Sequence, residues 1–493
     1  MIFSAPKLTA TEDTDLARLL AGPWPVALAA LACAWFVLGI APVPDHAYQL
    51  HLARRVLDGA VLYVDVAAAD MHPPLFTWLM MAVERLARVI GVDALHLFPW
   101  IVAGLTLGSV GLAWWVSARS PMVLAVVVLA VLPLSDAFFG QGEHIAVLAC
   151  LPYLFASARE VPAGGRAVRA AVALLAAVGM AMKPHFALVW LVTELYRARQ
   201  FGWAALWRME NVLIGALFVL YLLATAMLYP QFFALVPWLA ELYPLFFPTP
   251  LPVMLGDPRA ALLLTALLSA FVFRDTPEWT RSARVLALAA LALFAAMLLQ
   301  HKGWGYHWYP TVALSIGVLG IALRRVLLRG AVILVPLLAA VSVVVSSGQA
   351  LRVEHLLQRP PTELRETLAL VQAHAGGRPV AALSQYIQAG FPLVGVADVQ
   401  WALPYAHLWM VRAIRELPAE RAAHFRPLEA TIRDRIWQAV AERRPRLLLV
   451  ERAVGPGIDM RTWFESDPRF RGLFASATLV GATSSYDAYL LQL

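Results

Sequence analysis

The chain has 493 residues, of which 61% are hydrophobic and only 14% charged, where a soluble domain carries about a quarter charged residues. No water-soluble core could hide that much apolar surface, and the apolar residues fall in blocks close to the roughly 17–25 helical residues that a hydrocarbon core requires, so the composition points to an integral membrane protein. The net charge of +7 would suit nucleic acid, but most arginines before the tail sit in short loops between apolar blocks, which is a topology signal and argues against nucleic-acid binding.

In chain order, Lys7 and Arg18 precede an apolar block at 23–40 that is followed by no small-residue cleavage pattern, so the block reads as a retained first span. Further spans are expected at 94–116, 121–134, 145–158, 168–182, 186–196, 212–228, 260–273, 285–299, 311–323 and 331–345, about eleven in all. The segment 73–91 decides the topology. Leu75, Trp78, Leu79, Ala82, Val83, Leu86 and Ile90 follow helical spacing, but Glu84, Arg85 and Arg88 would sit badly in lipid. It therefore reads as a helix lying on the membrane surface. With that choice the loops carrying Arg119, Arg159/Arg166/Arg169, Arg197/Arg199/Arg208, Arg274/Arg281/Arg284 and Arg324/Arg325/Arg329 all share one side with Lys7 and Arg18, and that side is the cytoplasm. The expected protein is a multi-pass component of a bacterial inner membrane, with its N-terminus cytoplasmic and everything after about Ser346 periplasmic.

The tail changes character, with more charge and no span-length apolar run. Segments 379–384, 446–451 and 486–491 read as strands, and Leu428, Ile432, Ile436 and Val440 recur every four residues as one buried helix face. The expected architecture is thus a mainly helical membrane domain at 1–349, with surface helices in its first outward loop at 42–93, and a small periplasmic α/β domain at 350–493. Cys33 and Cys150 lie in apolar blocks without metal-ligand spacing and read as packing residues.

The first outward loop carries Asp45, His46, Asp65, Asp70 and His72 directly after a span. Any one of them taken alone is also explained as a hydrated loop residue. Together, Asp45-x-x-Tyr48, then Gly59-x-x-x-Tyr63-x-Asp65, then His72-Pro73-Pro74-Leu75 resemble the first outward loop of the GT-C superfamily of glycosyltransferases, which contains the protein O-mannosyltransferases and the lipid A aminoarabinose transferase. The likeness covers mainly residues 41–200. It implies an inverting transferase that takes a sugar from a polyprenyl-phosphate donor, with a carboxylate just after the first span as catalytic base or beside it. Asp45 holds that position, and a base there would take the proton of an acceptor hydroxyl as phosphate leaves the anomeric carbon. Tyr48, Asp65 and His72 are further site candidates.

A second acidic position in the next outward turn is matched by Glu143 in Gly140-Gln141-Gly142-Glu143-His144, with His144 beside it. Glu143 equally suits a helix start, where a carboxylate meets the positive end of the dipole. Lys183 ends an apolar run where the superfamily commonly has a basic residue; it either meets a donor phosphate or snorkels to the interface. The stretch 300–310, with His301, Lys302, Tyr306 and His307 among four aromatics, precedes a helix start. An aromatic belt accounts for the rings, whereas Lys302 and His307 beside two glycines suit a lipid-linked phosphate. The proline-rich loop 230–258 is expected to be either a gate over a lipid groove or a loop pressed on the bilayer.

The sequence reading is therefore a membrane glycosyltransferase using Asp45 and Glu143 as catalytic residues and Lys183, Lys302 and His307 for donor phosphate. Its partners are a polyprenyl-phosphate sugar donor, a periplasmic glycan, lipid or protein acceptor, and membrane lipids. No cofactor is assigned; some members of the superfamily bind a divalent cation beside the acids, which leaves metal dependence open. The rival is a lipid-linked sugar transporter, which calls for polar, broken helices deep in the membrane or symmetric halves; here the ionisable residues gather at one face. No ATP-binding loop, hydrolase elbow or metal-ligand cluster is present.

Overall fold

A computed structural model describes residues 31, 33–38, 43–117, 121–135, 138–161, 163–272, 274–327, 362–452 and 458–492. Most of the first expected span, the expected span at 331–345, and Lys7, Arg18, Arg119 and Arg329 lie outside the described residues.

Among the described residues, three helices are long and apolar enough to cross a membrane, Ala94–Val116, Met209–Leu228 and Pro277–Leu299. The expected count of eleven is not reached on this criterion: Gly142–Ser157 and Pro258–Val272 have only 16 and 15 residues. Gly142–Ser157 is buried from Glu143 to Ser157, so protein rather than lipid surrounds it and its length need not match a bilayer. Met209–Leu228 is the opposite case, with Val219, Leu220, Leu223 and Met227 each more than half exposed. An apolar face of that extent without protein cover requires an apolar solvent, and this makes the chain a membrane protein.

One apolar core joins the helical bundle, from Cys33 through Ala94–Val116, Gly142–Ser157, Arg166–Ala181 and Pro277–Leu299 to Ile321. The segment expected as a surface helix forms a helix, Pro74–Ile90, ended by Gly91 in the left-handed conformation. Its inward face is Phe76, Met80, Val83 and Ala87, while Leu86, Val89 and Ile90 are exposed. Glu84 is buried, and it is held by Arg54 at 3.2 Å and Arg88 at 2.9 Å. A charge that would be costly in lipid is thereby paired against the preceding helix, Pro44–Leu57.

The tail forms a four-stranded sheet, β1 (Val380–Leu383), β2 (Leu447–Glu451), β3 (Thr478–Ala482) and β4 (Tyr486–Leu490), in the order β1-β2-β4-β3. β1 and β2 run parallel, the other pairs antiparallel. Helix Arg426–Arg443 buries Ile432, Ile436 and Val440, as the spacing predicts. Strand β3 has no counterpart in the sequence reading; its mostly exposed residues and Gly481 weaken any alternation.

The second core reaches well beyond the tail, taking in Tyr48, Leu52, Leu62, Tyr63, Phe232, Leu239 and Phe246. Ala68 N–H donates to Pro404 O at 3.1 Å and Trp409 Nε1 to Ala69 O at 3.3 Å. The segment 230–258 is largely helical, Pro230–Leu242 and Leu251–Leu255. Trp238 stacks on His424 at 5.0 Å, and Tyr243 packs edge-on against Trp409. Packing against the sheet domain thus replaces the expected loose gate or bilayer-pressed loop.

Candidate active site

Where the helical bundle, the first loop and the sheet domain meet, they enclose a cavity of about 380 Å³. Asp45, Asp70, His72, Gln141, Glu143 and Lys183 line one side, Gln385, Tyr386 and His407 another, and Tyr243, Phe246, Phe247, Trp304, Tyr306 and Trp409 form an aromatic wall between them.

Asp45 lies in the first turn of Pro44–Leu57, behind Pro44. Its carboxylate opens into the cavity and accepts from Gln141 Nε2 at 3.3 Å. Burial among protein atoms raises its pKa; His72 and Lys183 pull it down, while Glu143 and Asp70 push it further up. The result is a carboxylate made more basic than usual at the one end of a helix whose dipole favours its charged form. Gln141 is aimed by its turn. Gly140 has φ +84°, a left-handed conformation, and an added Cβ would stand 2.7 Å from Phe98 Cε1. His144 locks the same turn: its Nδ1 accepts from Gly140 N–H at 3.0 Å, so Nε2 carries the proton and donates to Val131 O at 2.8 Å. His144 is fully buried away from the cavity and shapes the turn.

Glu143 starts the Gly142–Ser157 helix and pairs with Lys183 Nζ at 2.5 Å. This ion pair lies at the cavity surface. His307 Nε2 stands 3.9 Å from the same Glu143 oxygen, and neither of its ring nitrogens makes a hydrogen bond among the described residues. Tyr306 lines the cavity, with Lys183 Nζ 5.6 Å from its ring centroid. Lys302 is fully buried behind the aromatic wall. Its ammonium donates to Phe246 O and lies 4.5 Å from the Tyr243 and 5.0 Å from the Trp304 ring centroid. Burial pushes its pKa down to about 8. His301 is exposed on the loop and its carbonyl accepts from Thr249 N–H.

In the first loop, His72 Nδ1 meets Asp70 Oδ1 at 2.6 Å, and His72 N–H donates to the same oxygen at 2.9 Å. Burial pushes the Asp70 carboxyl up, but the charge and hydrogen bonds of His72 outweigh it and hold the carboxyl below its ordinary value. The protein packed around the partly exposed His72 pushes its imidazole down, and Asp70 more than reverses that. Gln49 Nε2 reaches Asp70 Oδ2 at 3.5 Å, and Tyr48 lines the cavity beside it. Tyr63 supports the loop through a 2.7 Å bond to His72 O. Asp65 is exposed, accepts from Val61 N–H at 2.8 Å, and closes its own turn outside the cavity.

The sequence reading missed the third wall. Glu451, at the end of β2, is 7% exposed and accepts from Ser384 Oγ at 2.8 Å and from Gln385 N–H and Nε2 at 2.7 and 2.5 Å. Arg412 Nη1 donates to Gln385 Oε1 at 3.1 Å, and His407 Nδ1 meets Gln385 O at 3.1 Å. Their signal was positional: Ser384–Tyr386 follow β1 and Glu451 ends β2, at the carboxyl ends of two neighbouring parallel strands, where α/β sheets place ligands.

Among the described residues, no group of three or more His, Cys, Asp or Glu side chains is arranged to hold a metal ion. Of the cavity's acids, Asp70 is paired with His72 and Glu143 with Lys183.

No protein-family model matches the chain, and no curated protein matches it. A solved structure that it resembles is that of the arabinofuranosyltransferase AftD from Mycobacteria, at 15% identity and a TM-score of 0.44, covering 95% of this chain and 40% of that chain. The chain thus corresponds to well under half of that protein's length.

Proposed function

We propose that the cavity is the transfer site of an inverting GT-C glycosyltransferase, in which a sugar leaves a polyprenyl-phosphate donor for a hydroxyl acceptor. The observation that carries this reading is the placement of Asp45: a carboxylate open to a cavity that also bears Lys183 and the His72 imidazole, its basicity raised by the protein packed around it. In the proposed step the acceptor oxygen attacks the anomeric carbon, the bond from that carbon to the phosphate oxygen breaks, and the lipid phosphate leaves with the electron pair. The acceptor proton passes to the Asp45 carboxylate.

Lys183 has surface on the cavity, and it supplies charge to the departing phosphate. Glu143 holds Lys183 in place before donor arrives. Direct phosphate contact by Lys302 or His307 requires the aromatic wall to move; in the arrangement described, Lys302 braces that wall and His307 stands behind Glu143. The exposed apolar faces of Pro74–Ile90 and Met209–Leu228 are where the lipid tail would run. The cavity and sheet domain face the periplasm in this reading, with the N-terminus in the cytoplasm.

The test is Asp45→Asn in purified protein supplied with polyprenyl-phosphate sugar and acceptor. Turnover is expected to fall by about 10²–10⁴ while polyprenyl-phosphate binding is retained. Turnover close to wild type would remove Asp45 from the base role.

A further inference from the structure

The parallel strands β1 and β2 end side by side, with Leu383 opposite Val450, and the chain beyond each end reaches the same network. Glu451 is a buried carboxylate held by three donors from Ser384 and Gln385. Such a charge is tolerated only when its oxygens are bonded, and the bonding has a geometric consequence. The Gln385 amide is oriented from both ends, Nε2 toward Glu451 and Oε1 toward Arg412, which leaves one amide hydrogen uncommitted among the described residues.

His407 is fixed through the same residue. The partner of Nδ1 is a carbonyl oxygen, so Nδ1 must carry the proton, and Nε2 keeps its lone pair. Burial pushes the His407 pKa down to about 4, although Asp70 opposes this, so the ring is neutral near pH 7. Gln385 and His407 both line the cavity. They give it a preset donor and a preset acceptor without net charge. A phosphate has no use for an acceptor lone pair, whereas a hydroxyl both donates and accepts. The adjoining rings complete the pattern: Tyr386 stacks on Phe247 at 5.9 Å and 23°, and Trp304 and Trp409 also face the cavity. Flat apolar surface beside fixed uncharged hydrogen-bonding groups suits a sugar ring, which has C–H faces and hydroxyl edges.

We infer that the sheet domain forms a sugar subsite in which Gln385 and His407 read ring hydroxyls, and that Glu451 is the positioning residue that aims Gln385. The inference rests on the transferase reading for its substrate class, and the ring belongs either to the donor sugar or to the acceptor.

The experiment uses full-length protein in lipid nanodiscs with three variants, Gln385→Ala, His407→Phe and Glu451→Gln. Methyl glycosides of common pentoses and hexoses are titrated while tryptophan fluorescence is read, since Trp304 and Trp409 line the cavity. Each variant is expected to weaken glycoside binding about 2–10-fold, with polyprenyl-phosphate affinity unchanged. Glu451→Gln should match Gln385→Ala although its side chain does not line the cavity. In turnover, a raised KM for acceptor with kcat retained assigns the ring to the acceptor, and a raised KM for the sugar donor assigns it to the donor. Thermal midpoints identify any variant that fails to fold; His407→Phe keeps an aromatic ring and decides the matter if Glu451→Gln does not fold. Unchanged glycoside binding in the folded variants overturns the subsite. Glycoside binding by wild type together with normal turnover in Asp45→Asn would sink the catalytic reading and leave the subsite standing; no glycoside binding with turnover lost in Asp45→Asn would do the reverse.

Discussion

The two polar walls of the cavity bury charge in different ways. On the bundle side, Glu143 is paired with Lys183 and Asp70 with His72. On the sheet side, Glu451 is surrounded by a hydroxyl, a main-chain N–H and an amide. An ion pair at a cavity surface can exchange partners, because an incoming anion offers the lysine the same interaction that its carboxylate does. A carboxylate satisfied by neutral donors has nothing comparable to exchange, and it holds its neighbours in one geometry. The bundle wall is thus suited to a phosphate that must bind and leave, and the sheet wall to shape and hydroxyl recognition.

The sharpest way to break this comparison is to set Lys183 against Lys302. Lys183→Met should lower affinity for polyprenyl phosphate about 10–150-fold, the loss expected of a charge-assisted contact. Lys302→Met should leave it within about threefold and show its effect in thermal stability instead, since the ammonium is bonded to Phe246 O and enclosed by rings. Because Lys183→Met leaves Glu143 buried without its partner, the double variant with Glu143→Gln is the control for folding. Equal losses of lipid phosphate binding would mean that the aromatic wall opens and both lysines reach the donor.

Next in size is Gly140→Ala. A left-handed conformation costs a residue with a Cβ about 1–2 kcal/mol, and here the added carbon also meets Phe98 at 2.7 Å. Lower thermal stability and a weaker Asp45–Gln141 contact, read as reduced kcat, are expected. Wild-type stability and turnover would show that this turn does not position Gln141.

The smallest effect is the pH response of Asp70–His72. The folded carboxyl titrates below its ordinary value and the folded imidazole above its own. The carboxyl contribution is present above the unfolded value near 3.8 and is lost as pH falls through the depressed folded pKa. The imidazole contribution is full below 6.5 and is lost as pH rises through the raised folded pKa. The pair is therefore strongest between these two values. His72 is nearly half exposed, so screening limits the effect to about 0.2–1 kcal/mol. His72→Asn should remove the alkaline part of this dependence from thermal midpoints measured across pH 6–9; an unaltered profile would assign it to another group.

Much of this protein is legible along the chain. Membrane character follows from block composition, the helix at 74–90 from the spacing of its apolar residues around Glu84 and Arg88, and three of the four strands from short apolar runs, because each is a property of consecutive residues. Asp45 and Lys183 stand out as charges at the edge of an apolar block, whereas His72 and Glu143 stand out through the motif resemblance of the outward loops. Their grouping needed the tertiary structure. Lys302 and Lys183 look alike in sequence, yet a wall of rings separates one from the cavity and leaves the other on its surface. Glu451 and Gln385 are 66 positions apart and meet only through the parallel pairing of β1 and β2. Sequence spacing records which residues share a helix face or a strand; which faces come together to enclose one cavity is set by packing between distant segments, and that information is held in no local pattern.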